Sequence, residues 1–99
     1  MIAALLLAAA SVPVSCTGAA DCDMRWNRAV QWVINQNPSI AEKTDTFIRN
    51  DPISATGMDA YQLIRIGDKF DLRMECANVF SCKVKKRGAE FRDYVMADQ

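Results

Sequence analysis

The sequence contains no histidine and carries no net charge, since 12 basic residues balance 12 acidic ones. Without histidine it lacks the commonest general base and a principal metal ligand of proteins. A neutral chain also lacks the long-range field that attracts nucleic acid or an anionic membrane. The sequence has no phosphate-binding glycine loop, no nucleophile elbow and no Cys-x-x-Cys pair. We therefore expect a non-enzymatic protein that uses no cofactor or metal and binds no nucleic acid.

The residues that are present suffice for one small folded domain. The chain has 99 residues, of which 51% are hydrophobic, with two Trp, two Tyr and four Phe. This composition is too apolar for a disordered chain, which combines low hydrophobicity with high net charge. The length fits a single core.

The N-terminal segment has the composition of an export leader. The first charged residue is Asp21, and the residues before it are mostly apolar or small. The apolar run over residues 1–10 is too short for a membrane-spanning helix, which needs about 20 residues. A short apolar run followed by small residues is typical of a cleaved leader, and a transmembrane anchor is the alternative. We predict a leader and tether over residues 1–20 and a single domain over residues 21–99.

The segment Val14-Ser15-Cys16-Thr17-Gly18-Ala19 resembles the junction at which small bacterial envelope lipoproteins are cleaved and lipidated. The resemblance covers the N-terminal region alone. It implies that Cys16 is acylated and that a lipid anchor holds the protein in the periplasm or cell envelope, for example at the outer membrane. Pro13 departs from the family pattern, which has an aliphatic residue at that place. Ordinary cleavage after Ala19 or Ala20 is therefore the alternative, and both interpretations export the domain.

The cysteine count predicts one disulfide. Either cleavage takes Cys16 out of the pairing, which leaves Cys22, Cys76 and Cys82. In an oxidising compartment we expect a bond between two of them. We favour the local pair of Cys76 and Cys82, and a long-range bond from Cys22 to either one is the alternative. The remaining thiol is then free or joins another chain.

The spacing of apolar residues predicts two helices and three strands. Steps of three and four residues predict helices over 21–36 and 89–97. Residues 43–49 are rich in β-branched and aromatic side chains and predict a strand. Alternation over 60–75, with Gly67-Asp68 in the middle, predicts a hairpin. The order α-β-β-β-α indicates an α+β fold, with a three-stranded antiparallel sheet on which both helices pack.

The hairpin alternation also assigns the two faces of the sheet. With a two-residue turn, one face carries the side chains of Tyr61, Leu63, Phe70, Leu72 and Met74, and we expect this face to be buried. The opposite face carries Ile64 and Ile66 among polar residues. It is too apolar to be fully exposed, so we expect something to cover it.

Candidate binding residues lie on the predicted helices and in one loop. Trp32 lies on the flank of the first helix, where it either covers the edge of the core or anchors a partner protein. Phe80 lies in a loop. Lys85, Lys86 and Arg87 form a basic run that is either a solvated surface or a patch for lipid headgroups or an acidic partner.

Two hypotheses follow. The first is an exported, non-catalytic module of the inhibitor or immunity type, which binds another envelope protein through Trp32, Phe80 and the basic run. The second is a membrane-tethered accessory lipoprotein that acts through assembly.

Overall fold

The computed structural model describes residues 9–51, 58–76 and 83–97. In these ranges the chain forms β1 (Ala9–Ser15), α1 (Gly18–Gln36), β2 (Ile40–Lys43), β3 (Phe47–Asn50), β4 (Ala60–Ile66), β5 (Lys69–Glu75) and α2 (Val84–Met96). The described strands form one antiparallel sheet in the order β1-β5-β4-β3-β2. Both helices pack on one face of it. The predicted α+β class, with an antiparallel sheet and two helices, is confirmed.

The described sheet has five strands where the sequence predicts three. The first additional strand, β1, lies inside the predicted leader and extends the folded region upstream of Asp21. Its Val12 and Val14 are buried beneath the helices, while Ser11, Pro13 and Ser15 face the other side. The second, β2, is a four-residue edge strand with an irregular register. The single strand predicted over 43–49 is wrong in part, because β2 ends at Lys43, residues 44–46 connect the two strands, and β3 begins at Phe47.

The hairpin of β4 and β5 has the predicted register. Ile66 pairs with Lys69, and the inward pairs are Leu63 with Leu72 and Tyr61 with Met74. Gly67 in the turn has φ +62°, a left-handed conformation that glycine adopts without steric cost. All five side chains predicted to face inward are buried: Tyr61, Leu63, Phe70, Leu72 and Met74.

Helix α2 begins at Val84, five residues before the predicted start, and runs through Gly88. Glycine inside a helix costs about 1 kcal/mol relative to alanine, which favours a start after it. Here Gly88 is buried against β1, and a Cβ atom at this position would lie 3.0 Å from Cγ2 of Val12. The glycine therefore allows α2 to approach β1 closely.

The last turn of α2 is held by arginines of α1. Arg25 donates a hydrogen bond to the carbonyl of Val95 at 2.9 Å, and Arg28 donates to the carbonyl of Ala97. The final carbonyls of a helix have no partner within the helix, and positive charge is favourable at this end. Both arginines thus stabilise the contact between the two helices.

A disulfide joins Cys16, after β1, to Cys22, in the second turn of α1. The alternative of a long-range bond from Cys22 to Cys76 or Cys82 is therefore wrong, because the sulfur of Cys22 is bonded to Cys16. The predicted acylation of Cys16 would use the same sulfur atom for a lipid thioether, so acylation and this disulfide exclude each other. Cys76 is itself disulfide-bonded, and Cys82, its predicted partner, lies outside the described residues.

Two buried asparagines connect α1 to the sheet. Asn50 Nδ2 donates to the carbonyl of Asn37 at 2.6 Å, and Asn50 Oδ1 accepts the backbone N–H of Tyr61 at 2.8 Å. The side chain of Asn37 donates to the carbonyl of Asp59 and accepts from the N–H of Ser39. Buried polar groups stabilise a fold when all of them are hydrogen-bonded, and the side chains of both asparagines meet this condition.

We expect Asn50→Asp to lower the free energy of unfolding by about 3 kcal/mol at pH 7, because a carboxylate cannot donate to the carbonyl of Asn37. Burial raises the pKa of a carboxyl group in the folded state. The variant should therefore recover part of its stability relative to wild type as the pH falls to about 4, where protonation restores a donor. Urea unfolding of both proteins at the two pH values measures this. An equal deficit at both would contradict the assigned hydrogen bond.

Candidate protein-binding face

Trp32 is part of the core and not a surface anchor. Its side chain is 5% exposed, and its ring makes edge contacts with Tyr61 and Phe91, both at 5.2 Å between ring centroids. The flank position inferred from the sequence assumes that only the sheet covers the first helix. In the structure α2 covers this flank, so the buried arc of α1 includes Trp32 as well as Trp26.

The predicted basic run divides into two parts. Lys85 and Lys86 are exposed in the first turn of α2. Arg87 is half-buried and donates to the hydroxyl of Tyr61 at 2.7 Å and to the side-chain oxygen of Gln36 at 3.2 Å. Arg87 therefore holds α2 to the body of the domain. Trp32 and Arg87 both contact Tyr61, whereas Lys85 and Lys86 are exposed, and Phe80 lies outside the described residues.

Burial raises the pKa of Tyr61 above its ordinary value of 10.0, although the positive charge of Arg87 acts in the opposite direction. The folded state thus favours the neutral phenol, and this contribution to stability is present below the unfolded pKa and lost as the pH rises above it. We expect the free energy of unfolding to fall as the pH rises above about 10, and Tyr61→Phe to make this fall shallower. Urea unfolding of both proteins at several alkaline pH values measures this difference. Parallel pH profiles of the free energy of unfolding would contradict the prediction.

A solvent-open cleft lies beside Arg87. It lies between the start of α2, the end of β5 and Asp59, and its interior volume of about 10 Å³ is roughly enough for one water molecule. Small-molecule sites usually measure about 300–1,000 Å³. Within the described ranges, no group of three or more Cys, Asp or Glu residues could hold a metal ion. The surface of the sheet is therefore the better candidate for a binding site.

The face of the sheet that points away from both helices carries an apolar row, and we call it the helix-free face. Four side chains lie at one level across it in the order Pro13, Asp71, Ile64 and Phe47, so the carboxylate of Asp71 separates Pro13 from Ile64 and Phe47. Ile66 lies one step further along β4. The side chain of Ile64 is 38% exposed and that of Ile66 is 69% exposed.

Charged side chains of both signs lie within and around this row. Arg49 pairs with Glu42 and Arg73 pairs with Asp71, each at 3.4 Å, and both pairs lie on the same face. Ser11 also donates a hydrogen bond to Asp71, at 2.6 Å. Ion pairs this exposed add little to stability, so they leave their charges accessible to another molecule.

The sequence indicates only part of this face. Alternation in the hairpin places Ile64 and Ile66 on it, but the expectation that something covers the face is not met by the described residues, which leave both side chains exposed. Pro13 is missed because its strand is assigned to the leader. The alternation of Val12 and Val14 with Ser11, Pro13 and Ser15 is the sequence signal for this strand, although the segment matches a leader equally well.

None of the described helices is both long and apolar enough to pass through a bilayer. No protein family model, no curated protein and no solved structure matches this chain.

Proposed function

We propose that this chain is an exported, non-catalytic module that binds a folded partner protein through its helix-free face. The observation that carries the proposal is the group of exposed Pro13, Ile64 and Ile66 with the half-buried Phe47, all on the face that the described helices leave open. Both described helices pack on the other face of the sheet. An exposed apolar patch with a polar border is the usual anatomy of a protein interface.

The charges on this face favour a protein over other kinds of partner. Arg49, Arg73 and Lys69 are balanced by Glu42, Asp71 and Glu75, so the face is neutral as a whole. Nucleic acid and anionic lipid both select surfaces with an excess of positive charge. We therefore expect a partner surface with an apolar centre and side chains of both signs around it.

Cysteine usage supports export. Cys16 and Cys22 are bonded, and Cys76 is disulfide-bonded too. Structural disulfides persist in oxidising compartments such as the periplasm and are rare in the cytosol. The apolar N-terminal run is a second feature that supports export. The partner is then another protein of the cell envelope, as expected for an inhibitor or immunity protein.

A membrane-tethered assembly accessory is the less favoured function. It depends on acyl chains attached to Cys16, and the sulfur of that residue is bonded to Cys22 in this fold.

Site-specific photo-crosslinking in the source organism tests the proposal. A photoreactive amino acid replaces Ile66 on the helix-free face and, as the matched control, Tyr94, which is 43% exposed on α2. We expect position 66 to give one discrete adduct with a second protein and position 94 to give none. With the identified partner in purified form, Ile66→Glu should weaken binding at least about tenfold, equivalent to about 1.4 kcal/mol. Tyr94→Glu should leave binding unchanged.

Three outcomes would contradict the proposal. These are equal crosslinking from both positions, no adduct from position 66, and an adduct that contains only peptides of this chain. The last result would identify a second copy as the occupant of the face. Ile66 is mostly exposed, so Ile66→Glu should leave the folded state intact, and a circular dichroism spectrum confirms this before binding is measured.

A further inference from the structure

We infer that the export leader is cut between Ala10 and Ser11, so that Ser11–Ser15, which form most of β1, remain in the mature protein. The inference rests on the proposed export and adds to it the bond that is hydrolysed. A leader peptidase of the host adds water across the Ala10–Ser11 peptide bond, which leaves a carboxylate on Ala10 and an ammonium group on Ser11. The cuts predicted from the sequence, before Cys16 or after Ala19 or Ala20, lie too far along the chain for this fold.

Packing of β1 is the first reason. Val12 and Val14 are buried in the core, where Val12 pairs with Leu72 and Val14 with Phe70. A cut before Cys16 removes this strand, opens the edge of β5 and uncovers the core. Fewer than about 85 residues would then form the domain, and small domains have little stability in reserve.

The disulfide is the second reason. Cys16 and Cys22 are bonded to each other, and either of the later cuts prevents that bond. Acylation occupies the sulfur of Cys16, while cleavage after Ala19 or Ala20 removes the residue. A cut after Ala10 keeps all four cysteines of the sequence in the mature chain. Four is an even number, as expected for a fully paired exported domain.

Contacts between the β1 region and the rest of the domain are a third reason. Gly88 is buried in α2 where a Cβ atom would lie 3.0 Å from Cγ2 of Val12. Arg92 of α2 donates to the carbonyl of Pro13 at 3.2 Å, and the N–H of Cys16 donates to the carbonyl of Asp68 at 2.9 Å. Gly88 and Arg92 lose these contacts if β1 is removed, and the hydrogen bond from Cys16 is lost with a cut after Ala19 or Ala20.

The residues around the Ala10–Ser11 bond suit a leader peptidase. Such enzymes require small residues at the first and third positions before the cut, in an Ala-x-Ala pattern. Ala8 and Ala10 occupy these positions, Ala9 lies between them, and an apolar run precedes them. The cut occurs during export, before β1 has paired. The new ammonium group is on Ser11, an exposed residue whose hydroxyl donates to the carboxylate of Asp71 at 2.6 Å.

The mass of the mature protein tests this inference. The gene is kept at its own locus in the source organism and carries a C-terminal affinity tag, so that any upstream segment is retained. We expect an intact mass that begins at Ser11 with all cysteines oxidised. Ala8→Leu and Ala10→Leu should each accumulate the uncut precursor. The matched control, Ala9→Leu, should be cut at the same bond as wild type, because the middle position tolerates a large side chain.

The outcomes separate this inference from the proposed export. An oxidised protein that begins at Cys16, Ala20 or Asp21 would overturn the cleavage site and leave export intact. So would normal processing of Ala10→Leu at the same bond. An uncut chain with reduced thiols in the cytosol would overturn both.

Discussion

A chain shortened to residues 21–99, the domain boundary that the sequence predicts, should fail to fold. The truncation removes β1, so two buried valines are lost from the core, each worth about 1.5–3 kcal/mol. It also deprives Cys22 of its disulfide partner, a further loss of about 2–4 kcal/mol. Small domains have a total stability of about 5–15 kcal/mol, so these losses should leave it largely unfolded. Circular dichroism with urea unfolding measures the result.

The matched control for this truncation is a chain that begins at Ser11. It keeps Val12, Val14 and Cys16, and we expect it to unfold cooperatively with nearly the stability of the full chain. If the chain of residues 21–99 shows a urea midpoint equal to that of the control, β1 is not an essential part of the domain.

Trp32→Ala should destabilise the domain more than a change at any exposed position. The ring is buried between α1, α2 and the sheet, where it contacts Tyr61 and Phe91. Truncating a buried tryptophan to alanine costs about 3–5 kcal/mol, because apolar contacts are lost and a cavity remains. In a small domain this loss approaches the whole free energy of unfolding. Urea unfolding at about 25 °C measures it.

Tyr94→Ala provides the control for Trp32→Ala. It removes an aromatic ring from an exposed position on α2, and we expect a change within about 0.5 kcal/mol. Unchanged stability of Trp32→Ala together with loss of partner binding would contradict the core assignment and restore Trp32 as an interface anchor.

The parts of the fold that depend on local sequence are predictable. Gly67-Asp68 between two alternating runs sets both the turn and the register of β4 and β5. Once the register is set, alternation assigns the buried side chains and places Ile64 and Ile66 on the helix-free face. The first helix is likewise recognisable from the spacing of its apolar residues.

The parts of the fold that depend on contacts between residues far apart in the sequence are not predictable in this way. The residues of β1 alternate between the two faces, but they follow an apolar run that matches a leader equally well, and only pairing with β5 distinguishes the two. Trp32 is buried by α2, a helix that begins only at Val84. Gly88 looks like a helix breaker until β1 is placed against it.

The central claim is that the segment through Cys16 belongs to the folded domain and is bonded to Cys22. No lysine or arginine precedes Arg25 in the sequence, so trypsin leaves both cysteines in one peptide that ends there. Mass spectrometry of this peptide from the unreduced protein should show a chain that begins at Ser11 and is two hydrogens lighter than after reduction. A peptide that begins with an acylated Cys16, or one in which Cys22 is bonded to Cys76, would contradict the claim.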